Sequence, residues 1–371
     1  MFCGETIVPE GLTGLQLSFN FTVRSIFWGG IFMPKLGDVY ARGDFFQQLA
    51  GAHKPSVDDM LSDRGYFGLK LSIIPLYGNI RTEDGEMYEL LRNSGGNSIY
   101  SGLVIQDTTV DGKNLMFNAE LTKDCASSVG SRGVREGDEA VWRSAPEATG
   151  KPFEIRVSED HIKWTEDGLF TLEGPMIRPG LHWYLPARDD GTYYVSHMFE
   201  LTGEFRGVKA RGFVAFDQVY MAEGGCLYQD RDVMMQNYGH ILWYTWAAKY
   251  KDGSVDAGHF ILGHDRLGFA VVTNGSSVIA TQNIEGVVTP DPDNKPFAKY
   301  IKLQIDGEEW EFTPDPRGKM PAMLQKYPPT PQQEGMWKRV GDTREVDSYW
   351  AWGETETKNG CTRQSKLPTR R

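Results

Sequence analysis

The chain has 371 residues and a formal net charge of −11, with 40% hydrophobic and 24% charged side chains, an ordinary globular composition with enough apolar mass for a sizeable core. That charge argues against a nucleic-acid partner, which requires a basic field, and no apolar run is long enough to span a bilayer. Two or three domains fit the length.

Residues 15–23 alternate apolar and polar without a break, which predicts a half-buried strand. Residues 43–63 are the one helical region. Phe45, Phe46, Leu49 and Ala50 share one helical face behind Asp44 as N-cap, and after Pro55 a second short helix runs to Leu61 with Ser56 as its cap. From Tyr66 onward, short strands rich in aromatic and β-branched residues follow in quick succession. Six Asp-Gly dipeptides punctuate them: Asp84-Gly85, Asp111-Gly112, Asp167-Gly168, Asp190-Gly191, Asp252-Gly253 and Asp306-Gly307. Asp-Gly between strand-like runs predicts type I′ hairpins, so most of the molecule reads as antiparallel sheet, in barrels or sandwiches. Residues 122–150 are polar and Gly-rich and read as a long loop; residues 286–298 and 313–334, rich in Pro and Asp, read as loops too. Residues 222–237 break the strand rhythm and link two sets of hairpins. The expected organisation is an N-terminal strand and helices over 1–65, a first unit over 66–225, a second over 235–357, and a basic tail over 358–371 carrying Arg363, Lys366, Arg370 and Arg371.

Cys3, Cys125, Cys226 and Cys361 are far apart with no CxxC pairing, which suggests free thiols in a reducing compartment. With no signal-peptide pattern at the N-terminus, the sequons at Asn20 and Asn274 read as accidental and the expected location is cytoplasmic.

A longer pattern runs from Gly174-Pro175 through the aromatic stretch His182-Trp183-Tyr184 and Tyr193-Tyr194 to Thr202-Gly203, and then to Phe216-Asp217-Gln218-Val219-Tyr220. A Trp-rich strand, Leu242-Trp243-Tyr244-Thr245-Trp246, and the Asp252-Gly253 turn come next. This order resembles the carotenoid 1,2-hydratase/AttH-like superfamily of two lipocalin-like barrels, which includes kievitone hydratase and fungal decalin-forming Diels–Alderases. The resemblance covers about residues 66–355. It implies an all-β fold of two consecutive lipocalin-like antiparallel β-barrels with a short helical N-terminal segment, and it puts Asp217 at the position of the family's acid. The family's first barrel closes on Asp-His-x-Trp-Gly, whereas this chain reads Asp217-Gln218-Val219-Tyr220-Met221. Loss of the His counts against hydratase-type acid catalysis.

Asp217 ends an aromatic run, where desolvation raises a carboxyl's pKa and suits it to donate a proton or hydrogen bond. The competing reading is a strand-end Asp paired with Arg211. His182 and Tyr184 share one strand face. On the neighbouring strand His197 shares a face with Tyr193, Val195 and Phe199, an interior lining in which imidazole and phenol supply hydrogen bonds, or else plain core packing. Phe216, Tyr220, Trp243 and Trp246 complete the candidate substrate wall, with Asp217, His182 and His197 as the candidate catalytic groups. Core packing is the simpler reading of the indoles. His259 and His264, five apart across Gly263, are too irregular for a metal pair, and no metal site or cofactor is expected. There is no GxSxG elbow, P-loop or dinucleotide fingerprint. The expected function is a cofactor-independent cyclase or isomerase acting on a hydrophobic polyene, polyketide or terpenoid, Diels–Alderase-like where pericyclic; a hydratase and a hydrophobic-ligand carrier are the alternatives, and an oligomer is left open.

Overall fold

A computed structural model describes residues 49–95, 98–99, 102–126, 131–186, 191–227, 232, 240–264, 267–325 and 330–363. The strand expected at 15–23, the helical positions Asp44 to Phe46, Cys3 and the basic residues beyond Arg363 lie outside the described residues.

The chain is all-β. Among the described residues two antiparallel sheets follow one another, fifteen-stranded to Met221 and ten-stranded from His240, each packed around its own core and one of them nearly barrel-shaped. In the first, Lys70–Thr82, Val208–Met221 and Thr192–Phe205 are central neighbours, and strands down to Val134–Glu136 continue one flank. Ile80, Leu90, Trp142, Ile155, Trp164, Phe199 and Phe216 fill its interior. The second is filled by Tyr244, Trp246, Phe260, Leu303, Trp310, Phe312 and Trp337.

A third apolar layer lies between the sheets, joining Tyr77, Trp183, Tyr194, Phe213 and Met221 to Trp243, Ile261, Phe269, Trp350 and Trp352. This layer explains why Val208–Met221 is nearly continuous in apolar residues. Val214 and Phe216 face the first core, while Phe213, Ala215 and Val219 face the second sheet, so both faces are buried.

Ser56 caps the helix Val57–Leu61, accepting the Asp59 N–H at 3.4 Å, as the sequence predicts. Leu49 and Ala50, expected in a helix, instead lie in the strand Leu49–His53, paired with Gly180–Leu185 in the register Gly51↔His182. A few one-face positions are weak helical information, and an open sheet edge outweighs them. The expected loop over 122–150 contains the strands Val134–Glu136 and Glu139–Arg143, with Ala140, Val141 and Trp142 buried. Its charges are a solvent-face ladder: Arg143 bridges Glu136 and Glu154, and Arg156 bridges Glu136, Glu139 and Glu154. Ile284–Pro290 and Glu308–Lys319 likewise enter the regions expected to be loops, the Pro-rich stretch at a register shift between Pro314 and Lys319 where ladder bonds are missing anyway. Within the expected tail, Thr362–Arg363 pairs with Gly286 and Val287.

Gly85, Gly112, Gly168, Gly253 and Gly307 all have positive φ, but only at Asp306-Gly307 (φ 50° and 85°) do both turn residues, as type I′ requires. A second such pair, Arg206-Gly207 (52° and 80°), joins the two longest strands and has no Asp-Gly signature. Cys125 and Cys361 are free, whereas Cys226 is disulfide-bonded with its partner outside the described residues. The expectation of four free thiols fails there, and with it the cysteine argument for a reducing compartment. Among the described residues no helix is long and apolar enough to cross a membrane.

Candidate active site

The Arg206-Gly207 turn sets the register of the central hairpin and places Ser196 opposite Asp217 and Tyr194 opposite Val219. On the other side of Val208–Met221, Tyr77 pairs with Ala215, one diagonal step from Asp217. Asp217, Ser196, Tyr194 and Tyr77 therefore share the face that meets the second sheet. Asp217 is fully buried, and Tyr194 donates its hydroxyl to Oδ2 at 2.5 Å. Burial pushes the carboxyl up to about 7, opposed by the hydroxyls of Ser196, Tyr194 and Tyr77. Oδ1 and the Ser196 hydroxyl have no hydrogen-bond partner of good geometry. Arg211, the alternative partner, is half-exposed and bonds to Asp347 at 2.6 Å.

Across the layer, the hydroxyls of Tyr77 and Thr245 are 2.8 Å apart, and Thr245 Oγ1 is 3.0 Å from His259 Nδ1. The His259 imidazole is held neutral by burial, its pKa down to about 3. Tyr194 stacks on Trp183 at 4.6 Å and meets Trp243 and His259 edge-on, while Tyr77 meets Trp352 edge-on. The result is an acid–hydroxyl–imidazole chain walled by aromatic rings. Thr192 Oγ1, Trp183 Nε1, Trp243 Nε1 and His259 Nε2, on this same layer, also lack partners among the described residues. Buried polar atoms are paired in the great majority of cases, so this concentration sets the layer apart from the apolar core of the first sheet.

At the 180–185 end of the first sheet, on its opposite face, lies a second polar cluster. His53 Nδ1 and His197 Nε2 are 3.0 Å apart, and His182 Nδ1 is 3.0 Å from the Tyr193 hydroxyl. Burial and the neighbouring imidazole lower His53 to about 4 and His197 to about 3; burial alone lowers His182. Phe67 stacks on Tyr184, and Tyr66 packs on Tyr193 and Tyr220. Among the described residues no group of three or more His, Cys, Asp or Glu is arranged to hold a metal.

The predicted residues thus divide between faces. Asp217 and Trp243 line the layer between the sheets. His182, Tyr184, Tyr193, His197 and Tyr220 lie on the other face of the first sheet, Phe199 and Phe216 in its core, and Trp246 in the core of the second. Sequence reasoning missed Tyr194, Ser196, Tyr77, Thr245 and His53, and treated His259 only as a failed metal ligand. The signal that finds Tyr194 and Ser196 is the register of the Arg206-Gly207 hairpin.

Further along the layer, Glu89 and Glu334 are both buried, and burial raises both carboxyls, Glu334 to about 8, against the opposing Arg81 guanidinium. Asp217, Glu89 and Glu334 bind protons in the folded protein at pH values where the unfolded chain has released them. The stabilising contribution of Asp217 and Glu334 is complete below about pH 4 and is lost as pH rises through 7 and 8, and that of Glu89 has the same sign. The buried histidines act oppositely, since their contribution is complete above about pH 6.5 and is lost toward pH 4 and 3. The urea midpoint is therefore expected to fall between pH 6.5 and 9, and to fall less in Asp217→Asn. A midpoint that rises across that range would refute neutral buried carboxyls.

No protein-family model matches the chain, and no curated protein matches its sequence. Among solved structures, an AttH-like protein from Nitrosomonas europaea shares 14% identity over 76% of this chain and 91% of its own, with a TM-score of 0.45. A protein called CghA, solved with Sch210972, shares 11% over 84% of this chain and 99% of its own, with a TM-score of 0.46. Kievitone hydratase from Nectria haematococca shares 9% over 85% of this chain and 98% of its own, with a TM-score of 0.41.

Proposed function

We propose that the protein is an enzyme that takes an apolar polyene, polyketide or terpenoid intermediate between its two sheets and cyclises or isomerises it without a cofactor. The observation that carries this reading is Asp217: fully buried, with a pKa of about 7, bonded through Oδ2 to Tyr194 and set beside the hydroxyls of Ser196 and Tyr77 on an aromatic-walled layer. A protonated carboxyl in that setting donates a strong hydrogen bond to a substrate carbonyl and draws electron density toward it as the transition state forms. Trp183, Trp243, Trp352 and Tyr77 hold a flexible chain in a reactive shape, and for an intramolecular cyclisation that ordering lowers the barrier directly. Hydration of an alkene is the second reading. The Thr245–His259 pair beside Tyr77 supports it, because hydroxyl and imidazole together can orient a water.

Native mass spectrometry of the purified protein, with extraction of any retained small molecule, tests the reading. A bound polyene or polycyclic compound whose addition quenches tryptophan fluorescence in the native protein, and less in Trp243→Leu, is the expected result. A clean apo mass, with no thermal shift against a panel of hydrophobic polyketides and terpenoids, would overturn it.

A further inference from the structure

The sequon Asn274-Gly275-Ser276 forms the turn between the strands Gly268–Thr273 and Val278–Thr281, and all three of its residues are exposed. The sequon at Asn20 lies outside the described residues. The Asn274 carboxamide is fixed through its oxygen. The backbone N–H groups of Ser276 and Ser277 donate to Oδ1 at 3.1 and 3.0 Å, and the hydroxyls of the same two serines donate to it at 2.9 and 3.1 Å. A backbone N–H can only donate, so these bonds settle which end of the amide is oxygen. Nδ2, on an exposed side chain, has no protein partner among the described residues. Gly275 supplies the positive φ of 86° that the turn needs, and its N–H is held by Thr273 Oγ1 at 3.1 Å. A sugar on Nδ2 replaces one amide hydrogen and disturbs none of these bonds. The folded turn therefore accepts the modification without rearrangement.

Cys226, between the two sheets, is an independent indication of where the chain matures, because it is disulfide-bonded. Disulfides persist in oxidising compartments, and the Asn-x-Ser acceptor is used in proteins that pass through them. The free cysteines are compatible with such a compartment. Cys125 and Cys361 are half-buried, and burial pushes the Cys125 thiol up to about 11, so little of it is reactive thiolate at neutral pH.

We propose that Asn274 carries an N-linked oligosaccharide, received in an oxidising lumen where the Cys226 disulfide also forms. The co-reactant is a lipid-linked diphospho-oligosaccharide, and the host's transferase supplies the catalysis. Nδ2 bonds to C1 of the reducing-end sugar as the bond from C1 to the diphosphate oxygen breaks. The lipid diphosphate leaves with that electron pair, and Nδ2 gives up one proton to a base of the transferase. Nothing is oxidised or reduced in the transfer. This inference is independent of the reading of Asp217, and either stands if the other fails.

The experiment takes the full-length protein from the organism that makes it and digests it without reduction. Peptides are compared by mass spectrometry before and after treatment with peptide N-glycosidase in heavy-oxygen water. The peptide spanning Asn274 is expected only after that treatment, with Asp at the position and heavy oxygen in its carboxyl, and Cys226 is expected in a disulfide-linked peptide. In a eukaryotic secretion host, Asn274→Gln and Ser276→Ala should each lose one glycan-sized step in mass relative to the native chain. Ser276→Thr should keep that step, because the threonine hydroxyl serves in the same place. Unmodified Asn274 throughout the protein from its own source overturns the proposal. Cys226 found there as a free thiol beside an unmodified Asn274 would return the chain to a reducing compartment.

Discussion

Asp217→Leu is expected to lower turnover of the substrate identified by extraction about 10²- to 10³-fold, the usual loss when a preorganised donor to a developing oxyanion is removed. Leucine keeps the branching of the side chain but is larger and leaves the Tyr194 hydroxyl without its acceptor, so the variant is expected to lose stability at pH 5 and less of it at pH 8, where the buried carboxyl itself opposes folding. Asp217→Asn separates two chemistries. Asparagine keeps an N–H donor, so catalysis by hydrogen bonding to a carbonyl should survive within about tenfold, whereas proton donation to an alkene should drop about 10²- to 10⁴-fold. Tyr194→Phe removes the hydroxyl bonded to Oδ2 and should resemble the milder of the two. Wild-type rates in both Asp217 variants would remove this residue from the mechanism.

The second large effect concerns folding. Inside the first barrel, Arg92 Nε and Nη2 bond to the two oxygens of Glu166 at 2.6 and 2.7 Å, and Trp164 Nε1 adds a third bond at 2.8 Å. Both charges are completely buried, and the guanidinium carbon stands 3.9 Å from the Phe153 ring centroid. Glu166→Ala strands the guanidinium in the core and is expected to cost about 3–5 kcal/mol. The double variant Arg92→Met, Glu166→Leu, which removes both charges and keeps the volume, should recover most of that loss. Urea unfolding of the three proteins checks both statements. Equal stability of Glu166→Ala and wild type would show that the pair carries no such penalty.

Much of the fold is legible because both strand alternation and turn glycines are local. The cap at Ser56 and the positive-φ glycines at 85, 112, 168, 253 and 307 come directly from residue chemistry. The strand Glu139–Arg143 is harder to read, since its outward residues are Glu and Arg in a ladder whose partners, Glu136, Glu154 and Arg156, lie on other strands. The site is half-legible. Asp217 stands out as an acid in an aromatic run, but which face of Thr192–Phe205 it shares depends on one hairpin register. Once Arg206 and Gly207 are taken as the turn, Ser196 falls opposite Asp217 and Tyr194 one diagonal step away, and His197 is excluded from that face. Tyr77, Thr245 and His259 come from strands distant in the chain, and no local pattern announces their meeting.

The pairing of Lys70–Thr82 with Val208–Met221 also has a consequence for biosynthesis. The two strands are well over a hundred residues apart, and at about 5–20 residues per second the earlier one waits roughly ten seconds on the ribosome before its partner emerges. Its one available partner meanwhile is Met87–Gly95, which pairs onward with the short strand Val104–Asp107, and so small a sheet with its apolar face uncovered is only marginally stable in water. Ile74, Leu76, Tyr77 and Ile80 stay open to other chains during that interval. Yield during expression should therefore respond to slower growth temperature and to chaperone supply more strongly than the stability of the finished barrels would indicate.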